Sequence, residues 1–223
     1  MRRLLLLLVT AITPRLPAQV SAFHEAKARE LLRSRLSCLG CHELDGDGGR
    51  SAPSLTTVAR RRSAEYIRAI IRDPQAVLPG VGMPAPGLDS ATRELLAAFL
   101  SRGARSGAVS VPASEARETR VQPAAALYAR WCATCHGATG RGDGPNARHL
   151  PVQPAVHASA QTMRRRSDDA LFDAISGGGL VMGKSARMPA FGATLSPAEI
   201  RALVAYIRAL CACTGPPWSL DGR

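Results

Sequence analysis

Two short segments of this chain each bring two thiols and an imidazole within five residues. They are Cys38-Leu39-Gly40-Cys41-His42 and Cys132-Ala133-Thr134-Cys135-His136. On a helical turn, side chains three residues apart share one side and the next residue follows them. Cys38 and Cys41 can therefore add to the two vinyl groups on one porphyrin edge while His42 reaches the iron. Cys132, Cys135 and His136 repeat the arrangement. The spacing is the signature of covalent c-type haem attachment. Three other chemistries compete. A structural zinc site needs four ligands, and each segment supplies only three. A thioredoxin-type dithiol expects a βαβ setting, and no stretch here shows sustained strand alternation. Plain structural disulfides suit a secreted chain but do not explain a histidine in both copies.

A haem iron held by one histidine has a sixth position, and its occupant separates electron carriage from ligand chemistry. Met83 and Met188 are the candidates, each in a Met-Pro dipeptide. The thioether must come from a distant segment to reach the face opposite the histidine, and the proline restricts the loop that presents it. Met/His ligation raises the reduction potential relative to harder ligands. Met182 is the rival to Met188, but the matching Met-Pro-Ala-x-Gly in both halves favours Met188. Met182 and Met163 read as core filling. His24, His149 and His157 have no counterparts in the other half, so surface or loop placement is expected for all three.

The elements that must position these groups occur twice. A helix-like stretch leads into each motif, from about Ala22 to Ser37 and from Pro123 to Trp131. Glycine-rich loops follow, at 45–49 and 137–144. Arg60-Arg61-Arg62-Ser63 and Arg164-Arg165-Arg166-Ser167 each open a helix, with the serine as N-cap. Ile67 and Ile71 match Leu171 and Ile175 on one face of it. An arginine of each triplet is also a candidate partner for a haem propionate. In the last helix of each half, Leu96, Phe99 and Leu100 match Leu203, Tyr206 and Ile207, spaced for one buried face. The expected division is 23–102 and 123–213 for two domains, 103–122 for a linker and 214–223 for a tail.

Residues 1–22 read as a signal peptide: Arg2-Arg3, an apolar run from Leu4 to Ile12, then Pro14 and Arg15. An exported, periplasmic or otherwise extracytoplasmic protein is expected. Free thiols are then improbable, so Cys211 and Cys213 also need a role. Thr214 follows them rather than His, which excludes a third attachment site. A disulfide with a distorted backbone is the first reading and a Cu(I) site the second. Lys and Arg number 29 against 17 Asp and Glu, a formal charge of +12. That balance points to redox partners with acidic docking surfaces, with an anionic membrane surface as a further candidate. Nucleic acid is not expected, because the arginines are scattered with few aromatics among them.

Each half resembles a class I c-type cytochrome domain. In the second half the resemblance rests on Leu127-Tyr128, Gly140-x-Gly142-x-Gly144-Pro145, Gly177-Gly178-Gly179 and Met188-Pro189-Ala190-Phe191-Gly192. The first half departs from this pattern, with Arg33 and Ser34 where Leu127 and Tyr128 stand, and Pro86 for Phe191. The resemblance covers about 22–102 and 123–210. It implies an all-α chain of two tandem domains, each about three helices around a covalently bound haem. It also implies haem edges near the surface that exchange electrons with docked proteins. A two-haem electron carrier is the leading reading. The alternatives are an electron-accepting subunit of a periplasmic dehydrogenase and a small haem oxidoreductase with one displaceable axial ligand.

Overall fold

The computed structural model describes residues 21–104, 107 and 122–219. The expected signal segment up to residue 20, most of the linker and residues 220–223 lie outside the described residues. The chain is all-α among those described. Its one sheet is a minimal antiparallel hairpin of β1 (Glu43–Leu44) and β2 (Asp47–Gly48), set in the glycine-rich loop after the first motif.

Three helices dominate the first half: α1 (Ala22–Glu30), α3 (Ala64–Arg72) and α5 (Ser90–Leu100). Short turns α2 (Val58–Arg61) and α4 (Pro74–Val77) flank α3. The second half repeats the plan with α6 (Ala124–Trp131), α7 (Ala133–His136), α8 (Ala160–Met163), α9 (Asp168–Gly177) and α10 (Pro197–Cys211). The closing helices α5 and α10 pack on the opening helices α1 and α6 and on α3 and α9 respectively. Each half thereby buries its own apolar cluster. Leu32, Leu39, Ile67, Ile71, Leu96 and Phe99 belong to the first, and Leu127, Met163, Leu171, Ile175, Leu203 and Ile207 to the second.

The caps follow the sequence. Ser63 and Ser167 accept from the backbone N–H groups of Tyr66 and Ala170. Ser196 forms a reciprocal capping box with Glu199, ahead of Pro197 in the first helical turn. The arginine triplets sit differently from the expectation. Arg60 and Arg61 lie in the last turn of α2, and Arg164 is the C-cap of α8. Cations there meet the negative end of a short helix rather than the positive start of the next one. Except for half-buried Arg166, the triplet side chains are exposed. They bond locally: Arg61 donates to the Ser54 carbonyl, Arg62 lies over the Tyr66 ring and Arg164 donates to the Ala160 carbonyl.

The departure of the first half at Arg33-Ser34 has a physical explanation. Leu31–Arg35 is a π-helical turn, which absorbs one extra residue relative to an α-helix. Leu32 stands six residues before Cys38, whereas Leu127 stands five before Cys132, yet both are at most 1% exposed. The extra residue lets the same apolar contact form from a shifted register.

Candidate haem sites

In the first half, extended Leu36 ends the π turn, and a 3-10 turn over Ser37–Gly40 carries the motif. The N–H groups of Cys41 and His42 both donate to the Cys38 carbonyl, at 3.3 and 3.0 Å. Both thiols are free and half-buried. In the second half the turn is α-helical: the N–H groups of Cys135 and His136 donate to the Cys132 carbonyl at 3.1 and 2.9 Å. Gly137, at φ +79°, ends it. Each glycine-rich loop then folds back on its motif. Gly49 donates to Leu39 and Ala52 to Cys41 in the first half, as Gly142 does to His136 and Gly144 to Cys135 in the second.

Both motif histidines have the same partner type. Nδ1 of His42 lies 2.7 Å from the Pro53 carbonyl, and Nδ1 of His136 lies 2.9 Å from the Ala155 carbonyl. A carbonyl only accepts, so Nδ1 carries the proton and donates in both rings. Nε2 is left as a lone pair, the form in which imidazole binds a metal, and the carbonyl fixes the ring's orientation. Burial lowers the pKa of both rings, which keeps them neutral.

The thiols are not poised as nucleophiles. Burial pushes Cys38 up to about 11 and Cys132 up to about 12. It raises Cys41 and Cys135 as well, and the neighbouring Cys135 raises Cys41 further. A redox-active Cys-x-x-Cys needs the opposite shift, toward a stable thiolate.

The Met-Pro loops are held in unlike ways. Met188 is half-buried and packs against the second apolar cluster, as do Trp131 and Cys132. Its carbonyl accepts from Gly179, while Phe191 and Gly192 donate to Ile175 and Ser176. That zipper needs Gly178: a Cβ there would stand 2.8 Å from the Met188 carbonyl oxygen. Met83 is also half-buried, but its loop leans on the other half of the chain. Gln75 donates to the carbonyls of Val81 and Met83, and Ala85 donates to Thr194 Oγ1 at 2.8 Å. Cys38 packs against the first apolar cluster and Met83 does not.

Several expectations change. Met163 is core, at 1% exposure, but Met182 is not. It is half-buried in a 3-10 turn beside exposed Leu180 and Val181. His24 is exposed and His149 half-buried. His157 lies in a turn yet is buried: its Nδ1 is 3.0 Å from the Tyr128 hydroxyl, and its ring stacks on His136. Burial first, then His136 and Arg166, lower its pKa to about 3. Cys211 and Cys213 are joined as a disulfide, with Ala212 between them in the left-handed region at φ +47°. Among the described residues no cluster of His, Cys, Asp or Glu could by itself hold a metal ion.

Two further arginines were not singled out by motif. Nε of Arg130 and Nη1 of Arg187 are buried and have no hydrogen-bond partner. Arg187 directly precedes Met188, and Arg130 directly precedes Trp131. A buried, unpaired guanidinium N–H is costly. A haem brings two carboxylates that such groups pair with, so the residues present fit that group. A groove of about 620 Å³ lined by Asp168, Phe172, Arg201 and Val204 contains none of the motif residues.

The profile of the family described as cytochrome c oxidase, cbb3-type, subunit III matches residues 25–100 and 119–207. The chain belongs to this family. It is a c-type cytochrome, a protein with covalently bound haem c and iron that transfers electrons. Over 73 residues it is 36% identical to cytochrome c oxidase subunit 2 of Alkalihalophilus pseudofirmus, covering 29% of this chain and 21% of that protein. The chain thus spans about a fifth of that relative's length. A chain of the reducing HAO-like protein complex of Kuenenia stuttgartiensis aligns with 87% of this chain and 98% of its own. Its identity is 19% and its TM-score 0.33. No helix among the described residues is long and apolar enough to cross a membrane.

Proposed function

We propose that this cytochrome carries two haems and passes single electrons between extracytoplasmic redox proteins. Cys38, Cys41, His42 and Met83 would hold one haem. Cys132, Cys135, His136 and Met188 would hold the other. The observation that carries the reading is the shared tautomer: in both motifs a loop carbonyl accepts a hydrogen bond from Nδ1–H, which leaves Nε2 free. Bound haem iron supplies a one-electron couple. The chain's own residues do the rest. The cysteines fix the porphyrin edge, the Pro53 and Ala155 carbonyls orient the imidazoles, and the apolar clusters exclude water. The proposed domains are 23–102 and 123–213, joined by 103–122, after a signal peptide over 1–22 and before a tail over 214–223. The basic charge suits partners with acidic docking surfaces.

A second reading is a cytochrome subunit that feeds electrons within a larger oxidoreductase. It is favoured by the family description, which names an oxidase subunit. The mass of the mature protein tests the first reading: two haem additions and loss of the N-terminal segment are expected. One haem, or haem released by acid acetone, refutes the tandem reading. Stable co-purification with a catalytic subunit supports the second.

A further inference from the structure

Asn146 is 2% exposed, and its side-chain amide bonds lead out of its own loop. Its Nδ2 donates to the Gly40 carbonyl at 2.6 Å and approaches Cys135 Sγ at 3.5 Å. Its Oδ1 accepts from the Arg50 N–H at 2.8 Å. A carbonyl only accepts and an N–H only donates, so these partners fix which amide atom is which. One amide therefore spans from a cysteine sulfur of the second motif to the peptide preceding Cys41 in the first.

Two glycines make this approach possible. A Cβ on Gly40 would stand 2.0 Å from the Arg187 carbonyl oxygen, and one on Gly49 would stand 2.7 Å from Asn146 Nδ2. Neither glycine has positive φ, so neither is needed to make a turn. The missing side chain of Gly40 serves contact between the halves, and that of Gly49 admits both the Gly40 carbonyl of its own half and Asn146. Beside them Arg187 Nη2 reaches both carboxylate oxygens of Asp47, at 2.9 and 3.1 Å. Farther along the same junction, Arg130 donates to Gln75 and to the Val81 carbonyl.

We propose that the halves dock with the Cys38–His42 and Cys132–His136 turns against one another across Asn146, and that Asn146 positions the two haem-binding motifs for direct electron exchange within one chain. This rests on the two-haem reading. Electron tunnelling falls steeply with distance, so motifs held in contact would give the fast route between the groups they hold. The exchange would move one electron from a ferrous to a ferric site, with no bond changed and no third reactant. Asn146 is a positioning residue and touches no reacting atom.

The test uses the full, haem-loaded chain. Haem content is counted first, then circular dichroism is recorded across the Soret band of the reduced protein. Coupled haems give a bisignate couplet in the wild type. Asn146→Leu keeps the bulk but loses all three polar contacts. It is expected to weaken the couplet and slow inter-haem equilibration after flash reduction, with haem content unchanged. Gly40→Val, which wedges the halves apart, is expected to abolish the couplet. Two haems with an unsplit wild-type signal overturn the docking and leave the two-haem reading intact. A wild-type couplet and rate in Asn146→Leu overturn the role of Asn146. One haem per chain removes the reading beneath both.

Discussion

The imidazoles of His157 and His136 are stacked, with ring centroids 4.1 Å apart and planes 13° from parallel. The Tyr128 hydroxyl bonds Nδ1 of His157, and Tyr128 itself packs on Tyr206 of α10. A residue of the closing helix thus bears on the ring of a candidate iron ligand through two intermediates. His157→Ala should leave haem attachment intact but free the His136 plane. The g-values of one low-spin haem in the oxidised electron paramagnetic resonance spectrum are expected to move. The loss of the Tyr128 bond should cost about 1 kcal/mol of stability. Unchanged g-values in a folded variant would show that Ala155 alone orients the ring.

Met188→Ala should remove about half of the near-infrared sulfur-to-iron charge-transfer band, if both irons have thioether ligands. It should also lower one of two reduction potentials, because water, hydroxide or a harder side chain replaces sulfur. Met182→Ala should leave the band intact and cost little in packing, given its half-buried place. Loss of the band in Met182→Ala would transfer the ligand assignment to that residue. A wild-type haem that binds cyanide rapidly would point to an open site and an enzymatic role.

Gly178 has φ +78° and ψ −177°, a region that side chains other than hydrogen rarely enter. Gly178→Ala should cost about 1–3 kcal/mol in backbone strain, and the new methyl would press on the Met188 carbonyl. The strain falls on the loop that presents the thioether. Loss of the second site's charge-transfer intensity at lower temperature than in the wild type is the expected readout, with the first site unchanged. Equal loss at both sites would show that the loop is not specific to the second.

Leu32 is fully buried at the π turn. Leu32→Ala should destabilise the first half by about 2–5 kcal/mol, measured as a lower denaturant midpoint. Deleting Arg33, which has no buried role, should convert the π turn to an α turn and realign Leu32 with the spacing seen at Leu127. A deletion variant that melts at or near the wild-type midpoint is expected; collapse of the first site on deletion would mean the extra residue is needed for more than register.

The chemistry of the two motifs was legible in the chain because it depends on neighbours. Cys-x-x-Cys-His works through residues within one turn, and the caps at Ser63, Ser167 and Ser196 act over three residues. The apolar spacing of α3, α5, α9 and α10 predicts their buried faces for the same reason. Residue type alone predicts Met182 in the core, whereas it stands half-buried beside exposed Leu180 and Val181. Only the tertiary structure decided the roles of the polar residues between elements. Tyr128 meets His157 across 29 residues of chain, and Asn146 meets Gly40 across 106. Nothing local distinguishes a buried Asn or His from an exposed one. What decides is whether a distant carbonyl or hydroxyl arrives to satisfy it, since burying a polar group without a partner is costly. Arg187 and Asp47 are joined in the same way, by packing that brings 140 residues of separation to one contact.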